Sequence, residues 1–249
     1  MKNTKYIDLN ADLGEGMGND AQLMPFLSSC SIACGGHFGN EDTVRDAIRL
    51  AKAHGLKIGA HPSFPDKNNF GRAIIEIEPD SLRESLIEQV SMFLNVAVSE
   101  GVMVNHIKPH GALYNLAAID KSTAELICSV INHFELGIKI YAPYNSEMAS
   151  VADRSNIEVV FEAFADRAYN DDLTLVSRSE PNALILEPFK VFEQVKHIAK
   201  YERIITVNEV GKRIKADTFC VHGDGENAVE ILKYLDRKLK NENIHIYKS

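Results

Sequence analysis

The run Asn105-His106-Ile107-Lys108-Pro109-His110-Gly111-Ala112-Leu113-Tyr114-Asn115 carries the clearest signal in this chain of 249 residues. Val102, Val104 and His106 alternate with Met103, Asn105 and Ile107, the period of two that a strand requires. Pro109 lacks a backbone donor and ends the strand. His110, Gly111 and Tyr114 then stand where a strand hands over to a helix. In parallel α/β proteins all strands point their carboxyl ends the same way, so such hand-overs share one mouth. The pattern of apolar strand, titratable residues and helix signal recurs at Asp8 to Glu15, Cys34 to Asn40, His61 to Asp66, Glu162 to Tyr169 and His222 to Asp224.

The flanking sequence fills in the alternation. A first strand, Tyr6 to Ala11, turns Asp8, Asn10 and Asp12 to one face, and Gly14, Gly16 and Gly18 follow it as a tight loop. That spacing is neither a Walker loop nor a dinucleotide fingerprint. A short helix is expected over Asp20 to Leu27 and a strand over Ser31 to Cys34. Asn40 caps a helix from Glu41 to His54. Strand Lys57 to Ala60 runs into His61-Pro62 and a long polar loop from Ser63 to Arg72, in which Arg72 suits a carboxylate or phosphate clamp. Ser81 and Glu84 read as a capping box for the next helix, and Asp120 as the cap of another. Strands at Ile138 to Ala142, Glu158 to Phe161 and Thr218 to Val221 complete a set of seven. Helices are expected at Asn145 to Arg154, from Pro188, and at Glu226 to Lys240, and Asn170 to Arg178 reads as a flap. Ile204 to Ala216 shows no clear period. No linker interrupts this order, so residues 1–249 read as one domain. A doubly wound sheet would gather site residues from two or three strands only. Here nearly every strand end carries a polar group, which favours a closed seven-stranded parallel β/α barrel of the TIM-like kind.

Composition narrows the function. Net charge is -8 and no basic run appears, which excludes nucleic acid as an expected partner. No stretch reaches the roughly 18 apolar residues of a membrane span, and Met1 to Tyr6 holds no apolar leader core, so a cytoplasmic protein is expected. Cys30, Cys34, Cys128 and Cys220 lack metal-finger or redox spacing and read as reduced core residues.

If the strands close, His37, His61, His110 and His222 share a mouth with Asp8, Asp12, Glu15 and Asp224. Two chemistries use such a set: a divalent metal held by one carboxylate and two histidines, or metal-free acid–base attack by water. Asp12, His61 and His110 are the ligand candidates for the first. Arg72, Lys108 and the glycine loop offer donors for an anion. Spacing leaves both chemistries open.

Seven segments, in order, resemble the LamB/YcsF family, the A-type subunits of 5-oxoprolinase: Asp8-Leu-Asn-Ala-Asp12-Leu-Gly-Glu15-Gly, Ser31-Ile-Ala-Cys34-Gly, Ile58-Gly-Ala-His61-Pro-Ser-Phe-Pro-Asp66, Phe70-Gly71-Arg72, Lys108-Pro-His110-Gly-Ala-Leu-Tyr114-Asn115, Glu162-Ala-Phe-Ala-Asp166-Arg167-Ala-Tyr169 and Cys220-Val-His222-Gly-Asp224. The resemblance implies a β/α barrel of the glycoside hydrolase/deacetylase type. It implies opening of 5-oxo-L-proline to L-glutamate with ATP as co-substrate, in company with subunits B and C. Carried onto this sequence, Asp12, His61, His110 and His222 are the catalytic candidates. Asp8, Asn10, Glu15, His37, Arg72, Lys108, Tyr114, Glu162, Asp166 and Asp224 are the substrate-binding ones. A homo-oligomer is compatible with this reading. The alternatives are a metal-dependent deacetylase or amidohydrolase of a sugar or small amide, and a non-catalytic protein that binds a lactam or sugar within a complex. The chain departs from the family pattern at Gly36, Phe38 and Asn40, and at Asp172, Ser177 and Asn182. These changes bear on substrate and flap shape rather than on the barrel.

Overall fold

The computed structural model describes residues 4–225 and 227–248. Its strands are β1 (Lys5–Leu13), β2 (Ser29–Ala33), β3 (Lys57–His61), β4 (Val104–Ile107), β5 (Lys139–Pro143), β6 (Val159–Phe164), β7 (Arg203–Ile205), β8 (Gly211–Arg213), β9 (Thr218–Cys220) and β10 (Ile244–Ile246). The helices are α1 (Asp20–Leu23), α2 (Glu41–Ala53), α3 (Pro79–Ser99), α4 (Gly111–Ile119), α5 (Lys121–His133), α6 (Glu147–Arg154), α7 (Pro188–Tyr201) and α8 (Ala228–Asn241). Strands β1 to β6 lie side by side in parallel, and β9 pairs with both β6 and β1, closing a ring of seven. The expected barrel is therefore present, with every strand end of the ring at one rim.

Several local expectations change. The Ser81 box does not start a helix: Pro79 does, from within the first turn, where its missing N–H costs nothing. Ile204 to Ala216 contains the antiparallel hairpin β7–β8. The helix expected from Asn145 begins at Glu147, because Ser146 caps it by accepting from the Ala149 N–H. The helix expected over Asp20 to Leu27 is α1 followed by a 3-10 turn at Met24–Phe26. The expected start of the last helix, Glu226, lies outside the described residues. Asn40 caps α2 as expected, and Thr43 answers it in a capping box. Strand β10 has no counterpart among the expected strands. It pairs with Lys5–Ile7, the lower part of β1, beneath the segment Asp8 to Asn10 that pairs with β9.

The inside of the barrel is polar and largely cross-linked by its own side chains, although Asn10 Oδ1, His106 Nδ1 and Glu162 Oε2 stay buried without a hydrogen-bond partner among the described residues. Asn10 Nδ2 donates to Glu162 Oε1 (3.0 Å) and Thr218 Oγ1 (2.7 Å). Thr218 and Ser29 hydroxyls both donate to Asp8 Oδ1, and Lys57 Nζ closes the column on Asp8 Oδ2. These bonds explain how β1 can bury a polar face. They also put Asp8 and Asn10 below the mouth, where their partners are the barrel's own side chains. His106 fills the same space, 3.1 Å from Ser31 Oγ and stacked on Tyr141 with ring centroids 3.7 Å apart. Gly59 leaves room for that ring: a Cβ there would lie 2.3 Å from His106 Nε2. Gly59→Ala is therefore expected to overpack the barrel and cost about 1–3 kcal/mol. Urea unfolding measures this, and an unchanged midpoint would contradict the packing described.

Candidate active site

Lys108, just past β4, is only 1% exposed. Its Nζ lies 2.9 Å from Asp12 Oδ1 at the end of β1, 2.9 Å from Glu162 Oε1 on β6, and 3.2 Å from Cys220 Sγ on β9. Burial alone would pull this ammonium toward neutrality. The charges of Asp12 and Glu162 and the Cys220 sulfur outweigh it and hold Lys108 well above the usual lysine range. Burial likewise works against the Asp12 carboxylate. The neighbouring His61 and Lys108 prevail and hold Asp12 well below the usual carboxylate range. Cys220 is driven the other way by burial and stays a thiol. The floor of the mouth is thus a fixed cation between fixed anions.

A histidine cluster stands beside it. His61 Nδ1 lies 2.7 Å from the Lys108 carbonyl and His110 Nε2 lies 3.0 Å from the Phe70 carbonyl. Carbonyls only accept, so both outer nitrogens carry protons. The inner nitrogens, His61 Nε2 and His110 Nδ1, then face each other at 2.9 Å. Two lone pairs cannot meet at that distance, so one proton or one cation belongs between them. Asp12 Oδ2 is 3.3 Å from His61 Nε2, and Glu15 Oε1 is 3.2 Å from His110 Nδ1. His37, stacked flat on His110 at 3.7 Å, donates to Glu15 Oε1 from 3.0 Å. Asp12–His61–His110 and Glu15–His37–His110 each converge closely enough to hold a metal ion. Ligating histidines fixed through their outer N–H to backbone carbonyls suit such an ion. The donor set therefore fits a divalent metal.

At the rim, His222 follows β9 and Asp166 follows β6. Asp166 Oδ1 accepts from His222 Nδ1 at 2.8 Å and Oδ2 from the His222 N–H at 2.8 Å. Burial would raise Asp166, but the His222 imidazole and its two bonds hold it below the usual range. The carboxylate thereby fixes the tautomer, leaving the His222 Nε2 lone pair free for chemistry. Arg72 and Arg178 both reach Asp224 Oδ2.

Part of this set lines a cleft of about 350 Å³. Asp12, Glu15, Arg72, Lys108, His110, Tyr114, His222 and Asp224, all anticipated from sequence, face it. His37 and His61 lie behind Glu15 and Asp12, each 1% exposed. Glu162 borders a second compartment of about 610 Å³ beyond Tyr114 and Phe164, and Asp166 borders a third. The structure does not bring Asp8 or Asn10 to the cleft. Arg167 and Arg178 do face it, and neither is among the site candidates drawn from the sequence. The signal for Arg178 is its place at the end of the irregular Asn170 to Arg178 segment.

Residues 7–249 match the LamB/YcsF family. The A-type subunit of 5-oxoprolinase from Staphylococcus saprophyticus is 39% identical over 245 residues, covering 96% of this chain and 97% of that protein. Its counterpart from Histophilus somni, of the same name, is 39% identical, covering 98% and 99%. Among solved structures, the lactam utilization protein from Thermus thermophilus superposes with a TM-score of 0.90 at 31% identity, covering 98% of this chain and all of that one. A putative cellobiose-phosphate cleavage protein from Enterococcus faecalis shares the fold at TM-score 0.63 and 10% identity, covering 99% of this chain and 98% of that one.

Burial pulls His37 from its ordinary 6.5 to about 4, although the bond to Glu15 opposes this. Between those values the unfolded chain binds a proton that the folded chain does not. Stability is therefore expected to fall as pH drops from about 6.5 toward 4. His37→Gln should flatten part of that slope in chelator-treated protein, as read by urea unfolding at a series of pH values. An unaltered slope would place the proton elsewhere.

Proposed function

The chain belongs to the LamB/YcsF family, and we propose that it is the ring-opening component of a 5-oxoprolinase, hydrolysing 5-oxo-L-proline to L-glutamate. The observation that carries the reading is His222, held from behind by Asp166, standing on the same small cleft as the Asp12–Lys108 floor. In this proposal His222 Nε2 takes a proton from water as its oxygen attacks the lactam carbon. Asp166 steadies the imidazolium that forms. The C–N bond then breaks and His222 returns the proton to the departing nitrogen, so that this step consumes one water and frees the amine. The amino end of α4, where Gly111 and Ala112 line the cleft, supplies positive potential toward the activated oxygen.

A lactam is a stable amide, so ATP is assigned the task of phosphorylating its oxygen, with release of ADP, before water attacks. C–N cleavage then leaves an acyl phosphate, which a second water hydrolyses to the carboxylate and inorganic phosphate. No Walker loop occurs in this sequence. Relatives are named as one lettered component of 5-oxoprolinase, the A-type, and activation is accordingly given to partner subunits B and C. Where a divalent cation binds, either Asp12, His61 and His110 or Glu15, His37 and His110 would hold it, and it would supply Lewis-acid polarisation of a carbonyl oxygen. The same convergence of one carboxylate and two histidines favours a second reading, a metal-dependent amidohydrolase that needs no ATP.

The test is glutamate formation from 5-oxo-L-proline with ATP, with and without the partner subunits. Product is expected only from the full mixture. His222→Ala and Asp166→Asn should each lower kcat by about 10²- to 10⁴-fold with little change in KM. No glutamate from the wild-type mixture would remove the reading. Turnover without ATP, abolished by a chelator, would favour the second.

A further inference from the structure

Three loops from three strand ends meet above the cleft on a single oxygen. Arg72 comes from the loop after β3, Arg178 from the loop after β6, and Asp224 from the loop after β9. Both guanidinium groups point at Asp224 Oδ2, Arg178 from 3.4 Å, and all three residues line the cleft. This trio holds two cations and one anion, an excess of one positive charge facing the open space.

Both arginines are partly exposed, yet each is held in place. Arg72 packs over the Phe70 ring, 5.0 Å from its centroid. Its loop is tied to the histidine cluster through the Phe70 carbonyl, which accepts from His110, and the Gly71 carbonyl, which accepts from Ala112 N–H at 3.0 Å. The approach is so close that a Cβ on Gly111 would sit 2.6 Å from that Gly71 oxygen. Arg178 leaves a loop held by Arg167, a buried residue whose Nη2 donates to the Val176 carbonyl at 2.6 Å. Asp224 differs in being framed by Gly223 and Gly225. Beside it lies a cavity of about 330 Å³ lined by Asp224, Gly225 and Asn227, and also by Arg178 and Asp166, into which its carboxylate can swing off the cleft.

We infer that Arg72 and Arg178 form the subsite for the carboxylate of the lactam acid, and that Asp224 occupies this fork as an internal surrogate which the ligand displaces. The inference rests on the proposed function for the identity of the ligand. A guanidinium pair matches a carboxylate in geometry and charge. The internal carboxylate keeps the pair aligned while the cleft is open and lowers apparent affinity by the fraction of time it stays in place. The subsite would thus select acids over neutral lactams and hold the ring near Asp12 and His222.

Calorimetric titration of the purified protein tests this with three probes: 5-oxo-L-proline, its neutral carboxamide and inorganic phosphate. The wild type is expected to bind the acid about tenfold or more tightly than the amide. Arg178→Ala should erase that preference and leave amide affinity unchanged. Asp224→Asn should tighten acid binding by roughly three- to tenfold, a gain that misfolding cannot imitate. Equal binding of acid and amide by the wild type, no binding of the acid, or weaker acid binding by Asp224→Asn would each overturn the subsite. Phosphate binding tighter than the acid and dependent on Arg178 would overturn the carboxylate assignment in favour of a phosphoryl group. Arg178-dependent acid binding in a protein whose complete mixture forms no glutamate would sink the catalytic reading and leave the subsite standing.

Discussion

A lysine ammonium buried to 1% exposure has to be compensated on the spot, and the mouth of this barrel is built around that requirement. Lys108 is met by Asp12 and Glu162, with Cys220 at its side. Three strands, β1, β6 and β9, thereby send side chains to one nitrogen carried by the residue after β4. Removing one member of such a group leaves an unpaired buried charge, at a cost of roughly 3–5 kcal/mol. The arrangement fixes where strands end and which groups stay charged. It also links two layers: Glu162 takes the ammonium from above and the Asn10 amide from below, so the mouth rests on the hydrogen-bonded column inside the barrel.

Above that fixed layer the site becomes more adaptable. The inner nitrogens of His61 and His110 await one proton or one cation. The Asp166–His222 pair presents a base whose tautomer is set by its partner. The outermost layer is the arginine fork on Asp224, held by loops rather than strands. Charge compensation thus changes with height, from a buried ion cluster, through a histidine pair in close contact, to a latch that a ligand carboxylate can replace. A lactam acid has matching parts: an amide to be opened and an anion to be gripped.

Much of this is legible in the sequence because parallel strands deliver their ends to one rim. Pro109 and Pro62 mark such ends directly, and the histidines beside them, His110 and His61, meet in the fold. What alternation cannot convey is depth along a strand. Asp8, Asn10 and Asp12 share a face of β1, yet only Asp12 reaches the cleft, while Asp8 turns to Thr218, Ser29 and Lys57. Strand β10 is invisible in the sequence for a related reason. Ile244–Ile246 becomes a strand because the lower part of β1 offers it an edge, not because three residues carry a period. The partnership of Arg178 with Asp224 spans 46 residues and has no local signature. The hairpin β7–β8 likewise reflects pairing over any strong local pattern.

The position of 5-oxo-L-proline in a crystal of this protein tests the central claim most directly. The account predicts the ring in the cleft bounded by Asp12, His110 and His222, with its carboxylate between Arg72 and Arg178 and Asp224 turned away. Ligand found in the compartment beyond Tyr114 and Phe164, or at the amino-terminal ends of the strands near Asp8 and Lys57, would contradict it.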